Sequence, residues 1–323
     1  MRLAIVLRFL AGGMTTDLMM IYKVSMAEVY RTIWRGVDAI NESITVQFPL
    51  DDLDKLRVLE SEFRAKSRSK SWVGEVGAID GCHFRMKNPG RAVPDPRAYF
   101  VDRKKEFALL GIAICDSARR FTYWDISCLP TTHDSVAWAQ SDLGRSFLNG
   151  DLPAPYFLVG DAAFTSSPSM VVPYGKASNT NFDFVQSSNR MAIECAFGVL
   201  IRRWGILWRP LEVAFDRRAA LVGCCMRLHN FCIDQRISEE HLPAMDGEMG
   251  IAVPGEPGVV VDRWEKRPVF DREGRPVYAL SIVDEAALSG GGGGGGVDAN
   301  STRERLRAGV ESDGVSRPAP MRW

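Results

Sequence analysis

The sequence predicts an α/β protein in which a mixed sheet is flanked by helices, with a small helical unit before this core and a disordered tail after it. Between residues 71 and 234, apolar runs of strand length alternate with longer segments of helical periodicity. Residues 1–70 show helical periodicity alone. After residue 234 the periodicity fails, and residues 290–296 form an unbroken glycine run. We therefore expect three consecutive regions, residues 1–70, 71–234 and 235–323.

Length and composition predict a globular chain with a full hydrophobic core. The chain has 323 residues, and 46% of them are hydrophobic. The apolar opening run, residues 1–10, is interrupted by Arg2 and Arg8. A membrane span needs ~20 apolar residues, and a signal peptide needs a longer uninterrupted apolar segment. We therefore expect a cytosolic or nuclear protein with no membrane partner.

The charge distribution suits a nucleic-acid-binding protein, although the formal net charge is zero. Residues 1–233 carry 29 Lys and Arg against 24 Asp and Glu, an excess of positive charge. Residues 234–323 carry 11 basic against 16 acidic residues. The predicted folded part is therefore mildly basic and the predicted tail is acidic, and a basic surface is what DNA binding requires.

The seven cysteines are odd in number and lack the CxxC spacing of common metal sites. Most of them lie inside apolar segments, so we expect buried, reduced thiols. Cys225, His229 and Cys232 could share a helix face as zinc ligands. The same residues also suit an apolar helix with small hydrophobes and one core histidine, which is the interpretation we favour.

A helix-turn-helix pattern occupies the start of the chain. Residues 16–22 and 26–41 show helical periodicity on either side of a short break at residues 23–25. Ser25 has the character of an N-cap, and Glu28 follows it three residues later, as in a capping box. These signals predict two helices joined by a tight turn.

The second of these helices is a candidate DNA-contacting element. Its apolar stripe includes Val29, Ile33 and Val37, while Arg31 and Arg35 face elsewhere. Arginines on the exposed side of such a helix are predicted to contact DNA. The alternative is a plain helical hairpin packed on the main domain, and the sequence leaves both interpretations open.

The central region has the element order of an RNase H-like fold. Three apolar strands come first, as expected for an antiparallel meander, and a helix, two further strands and a long helix follow. The predicted strands are residues 75–80, 107–115, 121–128, 156–160 and 170–174, and the predicted helices are residues 133–147 and 188–204.

Three acidic residues stand where metal-dependent phosphodiester chemistry would need them. Asp80 follows an apolar strand and precedes Gly81, and Asp161 repeats this arrangement after YFLVG. Glu194 lies in the middle of the long helix, beside the apolar stripe that begins at Ile193. Two divalent ions held roughly 3.5 to 4 Å apart can activate an attacking oxygen and stabilise a leaving oxygen. Carboxylates are suitable ligands for such ions.

Each acid also has an ordinary structural interpretation. An acidic side chain just past a strand is common as a turn former or a helix cap. Glu194 could simply pair with Arg190, four residues earlier on the same helix. The local sequence does not decide between these interpretations and a metal site.

Six ordered sequence blocks stand out along the chain. They are GAIDGCHF (77–84), YFVDRKKEFALLGIAICD (99–116), LPTTHDS (129–135), YFLVGDAAF (156–164), SSNRMAIECAFGVLIRRWGIL (187–207) and LHNFC (228–232). In order and spacing these blocks resemble PIF/Harbinger transposases of the DDE superfamily and their domesticated relatives, and six ordered blocks are more specific than any single one. Cys82 departs from the threonine that is common at its position in this family.

The resemblance implies a transposase or endonuclease that cuts DNA strands and joins their 3′ ends. Asp80, Asp161 and Glu194 would be its catalytic and metal-binding acids, holding two divalent ions, Mg²⁺ or Mn²⁺. The last two acids are 33 residues apart, in keeping with a glutamate on the final helix. DNA is the implied substrate, a Myb-like accessory protein and a second copy of the chain are the implied partners, and the nucleus is the expected location.

Supporting residues follow from the same blocks. Arg190, Arg202 and Arg203 are expected to contact the DNA backbone, because phosphate neutralisation dominates affinity for DNA. His83 could contact a phosphate or a metal-bound water, and Asp134 could cap the helix that begins there. Two other functions stay open: a domesticated relative that no longer transposes, and a DNA-binding protein whose acids are inert.

Overall fold

In a computed structural model of the chain, the structure describes residues 1–175, 180–239 and 299–317. No helix of these ranges is long and apolar enough to cross a membrane. The helices are α1 (Arg2–Leu10), α2 (Thr15–Tyr22), α3 (Met26–Ser43), α4 (Leu53–Lys66), α5 (Asp134–Gln140), α6 (Asp142–Leu148), α7 (Thr180–Arg203), α8 (Phe215–Asp234) and α9 (Ala299–Ser312). The strands are β1 (Glu75–Met86), β2 (Phe100–Val101), β3 (Glu106–Cys115), β4 (Phe121–Asp125), β5 (Phe157–Val159) and β6 (Met170–Val171).

The strands form a mixed sheet, as the sequence predicts. β2 and β4 each pair antiparallel with β3. β5 pairs parallel with β1 and with β6. The strand order is β2-β3-β1-β5-β6, with β4 also paired to β3. The parallel pairing of β1 and β5 matters most for the site, because it sets which residues of the two strands lie at the same level.

The described residues form two compact units that interleave along the sequence. The first unit contains residues 1–48, 81–133 and 195–239. The second unit contains residues 49–80, 134–175, 180–194 and 299–317. The strand β1 and the helix α7 contribute residues to both units. The division falls after Asp80 in β1 and after Glu194 in α7.

In the first unit, α3 packs against α1 and α8. Gly36 of α3 allows the close approach of α1, because a Cβ atom there would lie 2.4 Å from Val6 Cγ2. On its other side, α3 binds α8 through an ion pair between Asp38 and Arg217 at 2.6 Å. The Asn41 side chain also donates a hydrogen bond to the Ala220 carbonyl at 3.0 Å. The helix is thus fixed on two sides.

The N-terminal cap of α3 is partly as predicted. The Ser25 hydroxyl accepts a hydrogen bond from the Glu28 backbone N–H at 3.2 Å, so Ser25 is the N-cap. The Glu28 carboxylate binds the Arg31 guanidinium at 2.6 Å and receives a hydrogen bond from the Thr32 hydroxyl. In a full capping box this carboxylate would accept a hydrogen bond from the Ser25 backbone N–H. The charged guanidinium of Arg31 is the stronger donor, so the carboxylate binds Arg31.

In the second unit, α9 completes a hydrophobic cluster. Leu306 and Val310, 0% and 1% exposed, pack among the aromatic rings of Trp72, Phe157 and Phe182. This finding differs from the disordered tail expected for residues 235–323, because α9 lies within that range. The composition of α9 is polar. Leu306 and Val310, one helical turn apart, therefore stabilise the helix only when they pack against other apolar side chains.

The glycine run and the rest of the expected tail, residues 240–298 and 318–323, lie outside the described residues.

Two other elements differ from their predicted bounds. β1 runs from Glu75 to Met86 rather than ending at Asp80, because it also pairs in the sheet on the side of β3. The predicted helix 133–147 is divided into α5 and α6 by Ser141. The Ser141 hydroxyl accepts a hydrogen bond from the Gly144 N–H at 3.1 Å. Ser141 is therefore the N-cap of α6, and a new helix begins there.

Candidate active site

The parallel register of β1 and β5 brings two of the predicted acids to the same level. Ala78 of β1 is paired with Val159 of β5. Asp80 and Asp161 each lie two residues beyond that pair, so continuing the register sets them side by side. Neighbouring strands are about 4.8 Å apart. Asp80 is buried within β1 rather than at a strand end, and Asp161 is partly buried just past the end of β5.

Asp161 is oriented by the turn that follows its strand. One carboxylate oxygen, Oδ1, accepts a hydrogen bond from the Ala163 backbone N–H at 2.9 Å. This bond is the turn-forming role that the sequence left open for Asp161. It engages one of the two oxygens, and a carboxylate can accept several further bonds, so the turn does not prevent the side chain from serving as a ligand.

Two polar contacts fix the helix α7 against the sheet, one at the end of β5 and one at the start of β1. Gln186 Nε2 donates to the Gly160 carbonyl, immediately before Asp161, at 2.6 Å. Asn189 Nδ2 donates to Glu75 of β1 at 2.6 Å. Both side chains are buried. The sequence predicted neither residue for the site, because a buried polar side chain becomes recognisable only when its partner is known.

Three residues of α7 at intervals of four form one row along the helix: Gln186, Arg190 and Glu194. Gln186 contacts the end of β5, and Arg190, one helical turn later, approaches Asp80 of β1. Arg190 Nη1 lies 2.6 Å from Glu194 Oε1 and 3.7 Å from Asp80 Oδ2. The guanidinium therefore joins an acid of the helix to an acid of the sheet.

All three acids act electrostatically on the Arg190 guanidinium. Burial lowers the pKa of its guanidinium, but the negative charges of Glu194, Asp80 and Asp161 outweigh burial and raise the pKa above its ordinary value. The side chain is only 16% exposed. Arg190 is thus enclosed among the acids in this structure, whereas the sequence predicted a DNA-backbone contact for it. That role in DNA binding stays a prediction.

The ordinary interpretation of Glu194, an ion pair with Arg190, is present in the structure. An ion pair along one helix face involves residues of that helix only. Here a residue of the sheet takes part as well, so the pair is not the whole arrangement. Here the same guanidinium also meets Asp80 and responds to Asp161. Two carboxylates, of Asp80 and Glu194, thus contact one guanidinium, and the charge of Asp161 also acts on it.

The carboxylates provide the hard oxygen ligands that Mg²⁺ and Mn²⁺ prefer, so the donor set fits a divalent ion. Over the part of the chain that the structure describes, no group of three or more His, Cys, Asp or Glu side chains is arranged to hold a metal ion. The Arg190 guanidinium is the cation that the acids share here. The sequence assigns Asp80, Asp161 and Glu194 as the ligands of such an ion, and this assignment stays a prediction.

His83 has defined partners within the first unit. Its Nδ1 accepts a hydrogen bond from the Lys104 ammonium at 2.8 Å, because an ammonium group can only donate. Its Nε2 therefore carries the proton and donates to the Pro130 carbonyl at 2.8 Å. The His83 side chain thus connects Lys104 to the loop that contains the LPTTHDS block, through Pro130.

The remaining predicted arginines lie in the first unit. Arg31 and Arg35 are exposed on α3, one helical turn apart, and Arg31 is paired with Glu28. Arg202 and Arg203 lie in the last turn of α7 and are partly buried. The exposed positions on α3 are the more suitable of these for contact with a DNA backbone.

His229 is a core residue rather than a zinc ligand. Its Nε2 hydrogen-bonds the Arg119 carbonyl at 2.9 Å, and burial lowers its pKa to about 4. The neighbouring Asn230 bonds both the N–H and the carbonyl of Phe121, at 2.8 Å each. The LHNFC block therefore fastens α8 to the β3–β4 connection. All seven cysteines lie within the described residues, and none is joined in a disulfide.

A comparison with known families covers the part of the chain that contains these residues. Residues 79–230 match the family model described as DDE superfamily endonuclease. The matched range contains Asp80, Asp161, Arg190 and Glu194. The match supports the superfamily and an endonuclease-type domain, and it does not distinguish the PIF/Harbinger subtype. No curated protein and no solved structure matches the chain.

Proposed function

We propose that this protein is a DDE-type transposase or endonuclease that cuts DNA strands and joins their 3′ ends in a metal-dependent reaction. The observation that carries the proposal is that Arg190 contacts both Asp80 of β1 and Glu194 of α7, with Asp161 level with Asp80 at the end of β5, within the range of the endonuclease match. A cluster of carboxylates is costly to hold together unless a cation balances it. In the active enzyme, a divalent ion would be the cation that balances these carboxylates.

The protein's own contribution to the reaction is rigid positioning. Divalent ions, when bound by Asp80, Asp161 and Glu194, would supply activation of the attacking hydroxyl and stabilisation of the leaving oxygen. Asp80 is held inside a paired strand, and Asp161 by its turn. Gln186 ties the helix that bears Glu194 to the same strand end. Small errors in ligand position are expensive in such reactions, so these supports have a direct effect on rate.

Finer features of the proposal rest on the sequence resemblance. We propose the PIF/Harbinger subtype, an RNase H-like catalytic domain over residues 71–234 and a helix-turn-helix unit within residues 1–70. DNA is the proposed substrate, and a Myb-like accessory protein and a second copy of the chain are the proposed partners. The nucleus is the proposed location. A domesticated relative that retains nuclease activity without transposition is the second candidate, since it would keep the same acids.

The test is divalent-ion-dependent cleavage by the purified full-length chain. We expect the wild type to nick supercoiled plasmid with Mn²⁺ and to cut a duplex that carries the element end with Mg²⁺. Single changes Asp80→Asn, Asp161→Asn and Glu194→Gln should each reduce the cleavage rate by at least about a hundredfold, because each removes a charged ligand. DNA affinity without metal should hold or rise slightly, since a negative charge near a polyanion is lost.

The matched control is Asp54→Asn, which removes one carboxylate from an exposed position of the second unit. It should cleave like the wild type. Cleavage by the Glu194→Gln variant at the wild-type rate would show that the catalytic assignment is wrong. No cleavage by the wild type under any metal condition would favour the DNA-binding protein with inert acids.

A further inference from the structure

Arg190 occupies an unusual position for a residue next to proposed metal ligands. Its guanidinium binds Glu194 at 2.6 Å and approaches Asp80 at 3.7 Å. It is also attracted by Asp161. A divalent cation brought to these acids would therefore meet both their negative charge and the positive charge of Arg190.

The same contacts oppose the entry of a divalent cation. A magnesium ligand oxygen lies about 2.0–2.1 Å from its ion, and Glu194 Oε1 is already engaged by Arg190 at 2.6 Å. An ion bound to that oxygen would stand within a few ångströms of the guanidinium, where two positive charges repel strongly in a partly buried site. Either the ion binds weakly or the arginine moves.

We propose that Arg190 is an internal counter-ion that competes with divalent cations for Asp80, Asp161 and Glu194. Without metal it holds the acids together and limits their mutual repulsion. A bound ion takes over that role and displaces the guanidinium from Glu194. Arg190 is thus a positioning residue that sets the metal affinity of the cluster. This inference rests on the proposed function for the identity of the ligands, and its test reads metal binding rather than cleavage.

The experiment is a Mn²⁺ binding titration, followed by the electron paramagnetic resonance signal of the free ion, on full-length wild type and Arg190→Gln. Removing a positive charge about 4 Å from a divalent ion should tighten binding by about tenfold or more, even at the dielectric constant of water. Arg190→Lys keeps the charge and should stay within a few-fold of the wild type. Arg57→Gln removes an arginine from an exposed pair with Asp54 and should not change the affinity.

The double variant Arg190→Gln with Glu194→Gln tests whether the gained affinity belongs to this cluster. It should lose the tightening seen in Arg190→Gln, because one of the ligands is gone. Equal or weaker Mn²⁺ binding by Arg190→Gln than by the wild type would overturn the proposal. Tightening that survives the Glu194 change would overturn it too, because the ion would then be bound elsewhere.

A second measurement uses the wild type alone and does not depend on the folding of a variant. The Nε–Hε resonance of Arg190, assigned by its loss in Arg190→Lys, is followed in ¹⁵N-arginine-labelled protein during a Mg²⁺ titration. Displacement from Glu194 should shift this resonance along the same saturation curve as metal binding. A resonance that stays fixed while Mg²⁺ binds would contradict the displacement.

The two proposals fail in different ways. Tighter Mn²⁺ binding by Arg190→Gln in a protein that never cleaves DNA would support the counter-ion and contradict the endonuclease. Cleavage by the wild type together with unchanged metal affinity in Arg190→Gln would support the endonuclease and contradict the counter-ion.

Discussion

At the scale of single residues, the buried Glu75 makes the stability of the protein depend on pH. The residue is 1% exposed, and its Oε2 accepts hydrogen bonds from Trp72 Nε1 and Asn189 Nδ2, each at 2.6 Å. Burial raises the pKa of this carboxyl to about 8, although both hydrogen bonds favour the charged form. Glu75 is therefore largely protonated at neutral pH in the folded protein.

We expect Glu75→Gln to remove part of the pH dependence of unfolding. The folded pKa of about 8 lies above the ordinary value of 4.5, so the folded state binds the proton more tightly than the unfolded state. The resulting stabilisation is full below the unfolded pKa and is lost as the pH rises through the folded one. The slope approaches about 1.4 kcal/mol per pH unit between the two values.

The measurement is urea unfolding of wild type and Glu75→Gln from about pH 5 to about pH 9, the window that the two pKa values define. The free energy of unfolding of the wild type should fall relative to that of the variant across this window. Glu42→Gln, on the exposed side of α3, controls for the loss of one carboxylate. Parallel profiles for wild type and Glu75→Gln would show that Glu75 titrates alike in both states.

At the scale of elements, α9 shows how a polar segment far along the chain becomes part of a core. Its two apolar residues meet aromatic rings from β5, from α7 and from the segment before β1. Asp313, just beyond the helix, accepts hydrogen bonds from the Ser69 hydroxyl at 2.6 Å and from the Ser71 N–H at 2.8 Å. Packing and these hydrogen bonds together fasten α9 to the second unit.

Leu306→Ala should therefore destabilise the protein by about 2–5 kcal/mol, the usual cost of a cavity left by a fully buried leucine. Chemical unfolding of the two proteins side by side measures the difference. Leu148→Ala makes the same chemical change at a leucine that is 65% exposed and should cost little. Equal stability of wild type and Leu306→Ala would mean that α9 does not contribute to the core in solution.

At the scale of the whole molecule, positive charge is concentrated in residues 1–233 although the chain is neutral overall. Arg31 and Arg35 extend from the exposed side of α3, a helix fixed by α1 and α8. A rigid helix with arginines one turn apart can follow a phosphate backbone at little entropic cost. This supports α3 as the DNA-contacting helix.

We expect Arg31→Ala and Arg35→Ala each to weaken DNA binding similarly for all sequences and to reduce the slope of log affinity against log salt by about 1, since each phosphate contact releases counterions. Fluorescence anisotropy with a labelled duplex at several salt concentrations measures both quantities. The exposed-arginine control is again Arg57→Gln. Slopes identical to the wild type in both variants would exclude α3 from the DNA interface.

Much of the local structure was predictable because it depends on local rules. Hydrophobic periodicity identified β3, β5 and most of α7, and the N-cap at Ser25 followed from its residue type and position. Gln186 and Asn189 escaped selection, because a buried polar side chain is recognisable only when its partner is known.

The sequence by itself determined the types of most elements before residue 235 and the positions of the acids relative to them, because side-chain periodicity and capping are properties of neighbouring residues. Only the tertiary structure decided how these elements combine. The register of β1 against β5 sets Asp80 beside Asp161. The docking of α7 brings the Arg190 guanidinium to Asp80, where the charge of Asp161 also acts on it. Strand pairing and helix docking depend on contacts between residues far apart in the chain, for which a single sequence carries no local signal.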